Sequence, residues 1–213
     1  MNNSIKTAIA FLLLPLAAAS QAAELYIRTL VNHDAQAISQ LNDYLRPDRL
    51  RSGRSADYAN AAELKQADKD FPREVTDMAL PLFPEAQRNA LRAPVESLMS
   101  TVQKARQQSQ CKTVSATKPK LDKHGVLNTD VKFSCQLVKT PETWAEGIQR
   151  MVRNKLSLDQ VQGELKKLQA AYSAPASYTY EGVLSLGMVP KDKDKAWRND
   201  FASEAFDEMF SEL

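Results

Sequence analysis

The residues of this sequence that are best suited to chemistry are few and far apart. The two histidines, His33 and His124, lie in unrelated segments, and the two cysteines, Cys111 and Cys135, do not form a Cys-X-X-Cys motif. A zinc site needs several ligands at recognisable spacing, and a nucleophilic serine is often held in a Gly-X-Ser-X-Gly turn. The sequence contains neither pattern, nor a glycine-rich loop that could hold phosphate. We therefore predict no catalytic residue, no metal site and no cofactor.

Arginines grouped in one polar stretch are the first candidates for binding. The group consists of Arg46, Arg49, Arg51 and Arg54. A guanidinium can hold a carboxylate or a phosphate through two parallel hydrogen bonds. The alternative is a solvated loop in which Asp48 and Asp57 balance the charge, since exposed ion pairs contribute little to stability. The sequence alone leaves both interpretations open.

Trp197 is the second candidate for binding. It follows a stretch in which lysine and aspartate alternate, from Lys191 to Lys195, and there we expect an exposed loop. Tryptophan is enriched among the residues that dominate protein interfaces. An exposed Trp197 flanked by lysines would therefore suit the role of an anchor for a protein partner.

The two cysteines are predicted to form a disulfide across a β-hairpin. Residues 111–118 and 126–138 are strand-like and flank a turn at 122–125. A turn centred on Lys123 places Cys111 opposite Cys135, and the alternation of apolar and polar residues gives the second strand one core face and one solvent face. Closing a loop of this length contributes about 3 kcal/mol in the chain-entropy model. A redox-active pair is the weaker alternative, because such pairs favour Cys-X-X-Cys at the start of a helix.

The first 22 residues have the pattern of a secretory signal peptide. A polar start with Lys6 precedes an apolar run from Ala8 to Ala19, and the sequence Ser20-Gln21-Ala22 favours cleavage after Ala22. The apolar run is shorter than the ~20 residues that span a bilayer. We therefore expect a periplasmic protein with no stable membrane insertion, in an oxidising compartment that permits the disulfide.

The elements that must position these residues are helices and strands in mixed order. A first helix is predicted from Glu24 to Leu45, ended by Pro47, and shorter helices are predicted near 59–67 and 73–80. After a longer helix and the hairpin come a helical hairpin over 141–173, a third strand over 177–189 and a closing helix. The order indicates an α+β fold, with a single domain over 23–213 in which several helices pack a small antiparallel sheet.

Two segments resemble a known superfamily. The residues from Tyr26 to Ile38, with Leu41 and Leu45, resemble the first helix of NTF2-like domains, and the strand through Val131-Lys132-Phe133 after a glycine turn is similar to the sheet of that superfamily. Together these segments cover about a third of the chain. The resemblance implies a pocket between sheet and helices, which different members use for catalysis, small-molecule binding or protein contacts.

Export, a disulfide and the lack of catalytic motifs favour a binding function. The formal net charge of +2 falls to +1 when Lys6 is removed with the signal peptide, which is too little for the cationic face of a nucleic-acid binder. We predict a non-catalytic periplasmic protein that binds another protein, such as an inhibitor or an immunity protein against an extracytoplasmic toxin or enzyme. The alternatives are a carrier of a small apolar ligand and an NTF2-like enzyme using His33, although His33 and Asp34 would point in different directions on one helix.

Overall fold

The computed structural model describes residues 4–211, and the side chains of residues 16–211. It confirms the α+β fold, with several helices, a small antiparallel sheet and one disulfide. The helices are α1 (Ser4–Leu30), α2 (Ala35–Arg51), α3 (Ala61–Ala79), a 3-10 turn (Leu80–Leu82), α4 (Glu85–Gln107), α5 (Trp144–Arg153), α6 (Leu158–Tyr172) and α7 (Glu204–Ser211). The strands are β1 (Gln110–Ala116), β2 (Lys120–Leu121), β3 (Leu127–Leu137) and β4 (Tyr178–Met188).

The contacts between Cα atoms group the chain into two compact units. Unit 1 consists of Met1–Ala61, Cys111–Cys135 and Glu181–Asp207, and unit 2 consists of Ala62–Gln110, Gln136–Tyr180 and Glu208–Leu213. Each unit is described by itself below. The single domain that the sequence predicts over 23–213 stays a prediction.

The predicted signal peptide coincides with the first part of α1. Residues 1–3 lie outside the described part of the chain, and residues 4–22 continue into Ala23 without a break in the helix. Ala22 and Ala23, between which cleavage is predicted, are both buried in the intact chain. None of the helices over residues 4–211 combines the length and the apolar character needed to cross a bilayer. Cleavage and export stay predictions.

In unit 1 the predicted first helix is two helices. The prediction of one helix over 24–45 is wrong, because residues 31–34 are not helical and separate α1 from α2. His33 has a positive φ of 51°, which no helix interior contains, and Asp34 caps the new helix by accepting the N–H of Ala37 at 2.8 Å. Arg28 donates to the same carboxylate at 3.0 Å and fixes its orientation. Pro47 was expected to end the helix, but α2 continues to Arg51.

Strand β3 is the centre of the sheet. Strands β1 and β2 pair with it, and so does β4. The prediction of one continuous strand over 111–118 is corrected in detail, because an irregular segment at 117–119 separates β1 from β2, and Pro119 has no N–H to give to a ladder. In β2 the partners are Lys120 with Asn128 and Leu121 with Leu127, a register centred one residue later than predicted.

The turn and the disulfide close this hairpin as predicted. Asp122 Oδ1 accepts the N–H groups of His124 and Val126 at 2.8 and 2.9 Å, and Gly125 takes a φ of +79° that glycine adopts without strain. Cys111 and Cys135 are bonded, and their Cα atoms lie 4.0 Å apart. The predicted disulfide is confirmed.

Unit 2 contains the predicted helical hairpin. Helices α5 and α6 pack on each other, and each begins with a capping box, Thr143 with Glu146 and Ser157 with Gln160. Arg150 of α5 donates to Glu142 at 2.6 Å and to Glu164 of α6 at 2.8 Å, which ties the two helices together. The two short helices predicted near 59–67 and 73–80 are a single helix, α3, which runs through Pro72.

Helices α4 and α6 of unit 2 lie side by side and run in the same direction. Near their starts, the Gln87 amide donates to the Leu156 carbonyl at 3.4 Å. Near their ends, the Gln169 amide donates to Ser97 Oγ at 2.8 Å and to Thr101 Oγ1 at 3.2 Å. Because both pairs hold, the C-terminal ends of the two helices lie next to each other.

Gly182 of β4 leaves room for a ring of the core, and this gives a first prediction. A Cβ atom at position 182 would lie 2.3 Å from Cζ of Phe133, whose ring is buried. We expect Gly182→Ala to lower the free energy of unfolding by about 1–3 kcal/mol, the usual cost of overpacking. Urea unfolding followed by circular dichroism measures it.

Gly163 provides the matched control. A Cβ atom at position 163, inside α6, meets nothing within 4 Å, so Gly163→Ala should raise the free energy of unfolding by about 0.5–1 kcal/mol. If Gly182→Ala were as stable as the parent protein, the Phe133 ring would have room to move aside and the packing described here would be wrong.

Candidate functional site

The four candidate arginines lie at the end of α2 and in the loop after it, in unit 1. In the structure, carboxylates of the same unit bind some of these guanidinium groups, which are therefore not left with solvent alone. Arg46 donates to Asp43 at 2.7 Å and to Asp57 at 2.9 Å, and Arg54 pairs with Asp200. Arg49 donates to the Ser55 carbonyl at 2.8 Å, and its guanidinium lies 5.6 Å from the centre of the Tyr58 ring.

Hydrogen bonds to carboxylates raise the pKa of two of these arginines, Arg46 and Arg54. The hydrogen bond that Arg46 donates to Asp57, and next the one that it donates to Asp43, raise the pKa of Arg46 above its usual value. The hydrogen bond to Asp200 does the same for the pKa of Arg54. Because these guanidinium groups already have internal partners, an incoming carboxylate or phosphate would have to compete with them. A binding role for the four arginines stays a prediction.

Asp48 is the buried centre of this network. Only 5% of its side chain is exposed, and it receives the Arg51 guanidinium at 2.6 Å and the Arg198 guanidinium at 2.6 Å. A buried carboxylate is tolerated when such charge-assisted hydrogen bonds replace its lost hydration. Asp48 therefore joins α2 to the segment around residue 198.

The alternation of lysine and aspartate over 191–195 has a structural reason. Arg51 donates to Asp192 and to Asp194, each at 2.9 Å. The aspartates are half-buried, whereas Lys191, Lys193 and Lys195 are exposed. The segment therefore presents its acids to Arg51 and its lysines to solvent.

Trp197 is not exposed, and this expectation from the sequence is wrong. Its side chain is 1% exposed and is among the largest fully buried ones of the described chain. Its backbone N–H donates to the Tyr44 hydroxyl at 2.7 Å. Two residues later, the backbone N–H of Asn199 donates to the Tyr26 hydroxyl at 3.0 Å. Trp197 anchors the segment after the lysines in the core of unit 1, so it cannot serve as a surface anchor without unfolding.

The tyrosines under this segment are kept in their neutral form. Burial raises the pKa of Tyr26 well above its usual range, opposed by the N–H of Asn199. Burial, and next the charge of Asp200, raise the pKa of Tyr58 to about 12. The two rings meet edge to face, with centroids 5.2 Å apart. They are part of the support for the network and not an acid or base for chemistry near neutral pH.

The two histidines lie in separate segments of the fold. His33 lies in the break between α1 and α2, and His124 is exposed in the hairpin turn. The carboxylate of Asp34 caps α2 and pairs with Arg28, and these hydrogen bonds lower its pKa. Within the described part of the chain, no three histidine, cysteine, aspartate or glutamate side chains are grouped as a metal ion would need.

An apolar groove in unit 2 is the surface that the sequence analysis missed. It lies between α3 and α5 and has a cavity volume of about 230 Å³. Its lining residues are Val75, Met78, Ala79, Leu82, Trp144, Ala145, Ile148 and Gln149. Met78 is 68% exposed and Leu82 is 52% exposed. We call this surface the α3–α5 groove.

A second hollow adjoins the α3–α5 groove. Leu82 lines both, and the hollow has a volume of about 530 Å³, with walls from the 3-10 turn, the start of α4 and the end of α5. Its apolar lining residues are Pro81, Phe83, Pro84, Met151, Val152 and Leu156, and its charged ones are Arg88 and Lys155. Arg88 donates to the Phe83 and Pro81 carbonyls at 2.9 and 3.2 Å. The lining residues of the two surfaces, all in the described part of the chain, include no carboxylate.

A third cavity in unit 2 has a different chemistry. It measures about 800 Å³ and lies where α4 and α6 end, beside Gln110 and Gln136. Uncharged polar side chains contribute much of its wall. We call it the polar pocket.

Comparisons with known proteins do not assign this chain to a family. No family model matches it, and no curated protein matches it in sequence. Among solved structures it is similar to YcdA of Bacillus subtilis, a candidate lipoprotein, at 14% sequence identity and a TM-score of 0.44. The similarity covers 92% of this chain and 56% of the other. A likeness at this level implies nothing about function, and the NTF2-like resemblance stays a prediction.

A pattern in the sequence could have revealed the α3–α5 groove. Val75, Met78, Ala79 and Leu82 follow each other at spacings of three and four residues, which looks like the buried face of a helix. The same spacing is shown by Trp144, Ile148 and Val152 on α5. Such patterns are typical of a core face, and only the exposure of Met78 and Leu82 distinguishes a binding face from it.

The network around Asp48 gives a second prediction. Asp48→Asn removes the negative charge that two guanidinium groups share, so we expect it to lower the free energy of unfolding by about 2 kcal/mol. Asp43→Asn is the control, because Asp43 is an exposed partner of Arg46 and should leave the urea midpoint almost unchanged. Equal midpoints for the two variants would show that the buried network adds nothing to stability.

The buried tyrosine gives a third prediction. The pKa of Tyr58 is raised to about 12, so the folded state keeps the proton that the unfolded state loses near pH 10. The stabilisation is therefore fully present below about pH 10 and is lost as the pH rises toward 12. Tyr58→Phe keeps the ring but cannot ionise, so its urea midpoint should fall less than that of the parent between about pH 8 and about pH 11. Parallel curves would contradict the raised pKa.

Proposed function

We propose that this chain is a non-catalytic, extracytoplasmic protein that binds another protein through the α3–α5 groove. The disulfide between Cys111 and Cys135 is compatible with an oxidising compartment. The observation that carries the proposal is the exposure of Met78 and Leu82 beside Trp144 in one apolar groove of unit 2. Contiguous apolar surface of this kind on a soluble protein marks interaction sites.

The shape of the groove suits a helix of the partner. The helices α3 and α5 form its walls, and the apolar residues that line it recur at the spacing of helical ridges. An amphipathic helix binds such a groove through residues at positions i, i+3, i+4 and i+7. Methionine adapts its shape to the residue it meets, and Met78, which is 68% exposed, lies in the groove.

The charges next to the groove indicate an acidic partner. Arg88 and Lys155 line the adjoining hollow, and no carboxylate lines either surface within the described chain. A partner helix with carboxylates near one end would complement Arg88 and Lys155.

A charge introduced into the groove tests the proposal. We expect Met78→Glu with Leu82→Glu to abolish partner binding, because two carboxylates would be buried in an apolar interface. Both side chains are exposed, so the fold should persist, and circular dichroism checks this. The control is Leu121→Glu, which changes an equally exposed apolar residue of β2, in unit 1.

The readout is a crosslink from the groove itself. The parent protein carries a photo-reactive residue in place of Gln149, which lines the groove, and is exposed to an extract of its native extracytoplasmic compartment. A single protein crosslinked from position 149, lost in the double variant and kept in Leu121→Glu, supports the proposal. The same crosslink in the double variant would contradict it. A bound apolar small molecule in native mass spectra, lost in the double variant, would favour the ligand carrier instead.

A further inference from the structure

We propose that the polar pocket of unit 2 binds a neutral saccharide. This is a second site on the unit and does not depend on the α3–α5 groove, since the two share no lining residue. Its volume of about 800 Å³ is within the range of small-molecule sites.

The helix ends set the electrostatics of the polar pocket. Helices α4 and α6 run in the same direction and both end at the pocket, at Gln107 and Tyr172. Each helix C-terminus carries a partial negative charge of roughly half an electron charge. Lys104, in the last turn of α4, is the one charged side chain among the lining residues, which all lie in the described chain, and no ion pair within that part of the chain involves it. Two partial negative charges and one positive charge nearly cancel, so the pocket favours a ligand without net charge.

The polar side chains of the pocket match hydroxyl groups. Uncharged polar residues supply seven of its lining positions, which are Thr101, Gln108, Ser109, Gln110, Gln136, Tyr172 and Ser173. The Ser109 and Ser173 hydroxyls donate to carbonyls of their own helix, those of Ala105 and Gln169. The side-chain amides of Gln108 and Gln110 make no hydrogen bond within residues 4–211, and both residues are exposed. An amide offers a donor and an acceptor side by side, as neighbouring sugar hydroxyls require.

The remaining wall is apolar and suits the C–H faces of a sugar ring. It is formed by Ala105, Val138, Ala174, Pro175 and Ala176. A charged metabolite would be opposed by the helix ends or by Lys104, and a wholly apolar ligand would leave the glutamine amides without partners. A neutral, polyhydroxylated ligand satisfies both parts of the pocket.

Titration followed by NMR tests the assignment. The full protein, labelled with 15N, is titrated with maltose, trehalose, cellobiose and N,N′-diacetylchitobiose. We expect at least one of these to shift the backbone amides of residues 104–110 and 172–176 and the side-chain amides of Gln108 and Gln110. Gln108→Ala with Gln110→Ala should weaken that binding about tenfold or more, through the loss of two hydrogen-bonding groups. Gln40→Ala, which removes an exposed glutamine of α2, should leave it unchanged.

Two further variants and two charged sugars complete the test. Ala176→Trp fills the polar pocket while leaving its glutamines unsubstituted, and it should abolish the shifts. Met78→Glu with Leu82→Glu should preserve them. Glucuronate and glucosamine serve as charged probes. Tighter binding of either charged probe than of every neutral sugar would overturn the assignment, as would shifts away from the pocket or no shift with any of the four disaccharides.

Discussion

A buried carboxylate needs positively charged hydrogen-bond donors to replace its lost hydration, and in unit 1 this requirement of Asp48 determines the positions of the residues around it. Its two guanidinium partners come from different parts of the chain, Arg51 from the end of α2 and Arg198 from the segment after the lysines. Arg51 in turn binds Asp192 and Asp194. One buried negative charge thus fixes where α2 ends, how the loop after β4 runs, and how deep Trp197 is set. Because desolvation offsets much of the attraction, removing one partner of such a network costs more than the intact network contributes to net stability.

The fold class, the disulfide and the helical hairpin were predictable because they depend on local patterns. Alternation along β3 and the glycine turn defined the hairpin, and the capping box at Ser157 defined the start of α6, whereas α5 begins at Trp144, three residues later than predicted. The break between α1 and α2 was missed because Asn32, His33 and Asp34 interrupt an apolar period that continues on both sides. The hydrophobic pattern alone does not distinguish a polar face from a turn.

The candidate site was harder to predict, for a physical reason. Exposure is a property of the whole fold, and residue type gives only a weak prior for it. Trp197 follows three lysines yet is buried, because the aspartates between them bind Arg51 and draw the chain inward. Met78 and Leu82 have the spacing of core residues yet are exposed, because none of the described elements of unit 2 covers that side of α3 and the 3-10 turn. Both features depend on the presence or absence of long-range contacts, which the sequence does not encode locally.

The alternation over residues 191–195 has a consequence for how this segment can change over time. Its lysines extend into solvent, so substitutions there should accumulate freely, as long as the replacements stay polar. Its aspartates share one arginine on a distant helix, so a change at either acid alters the requirement at position 51. Neighbouring positions along one short stretch are therefore expected to evolve at different rates, and positions about 140 apart are expected to vary together.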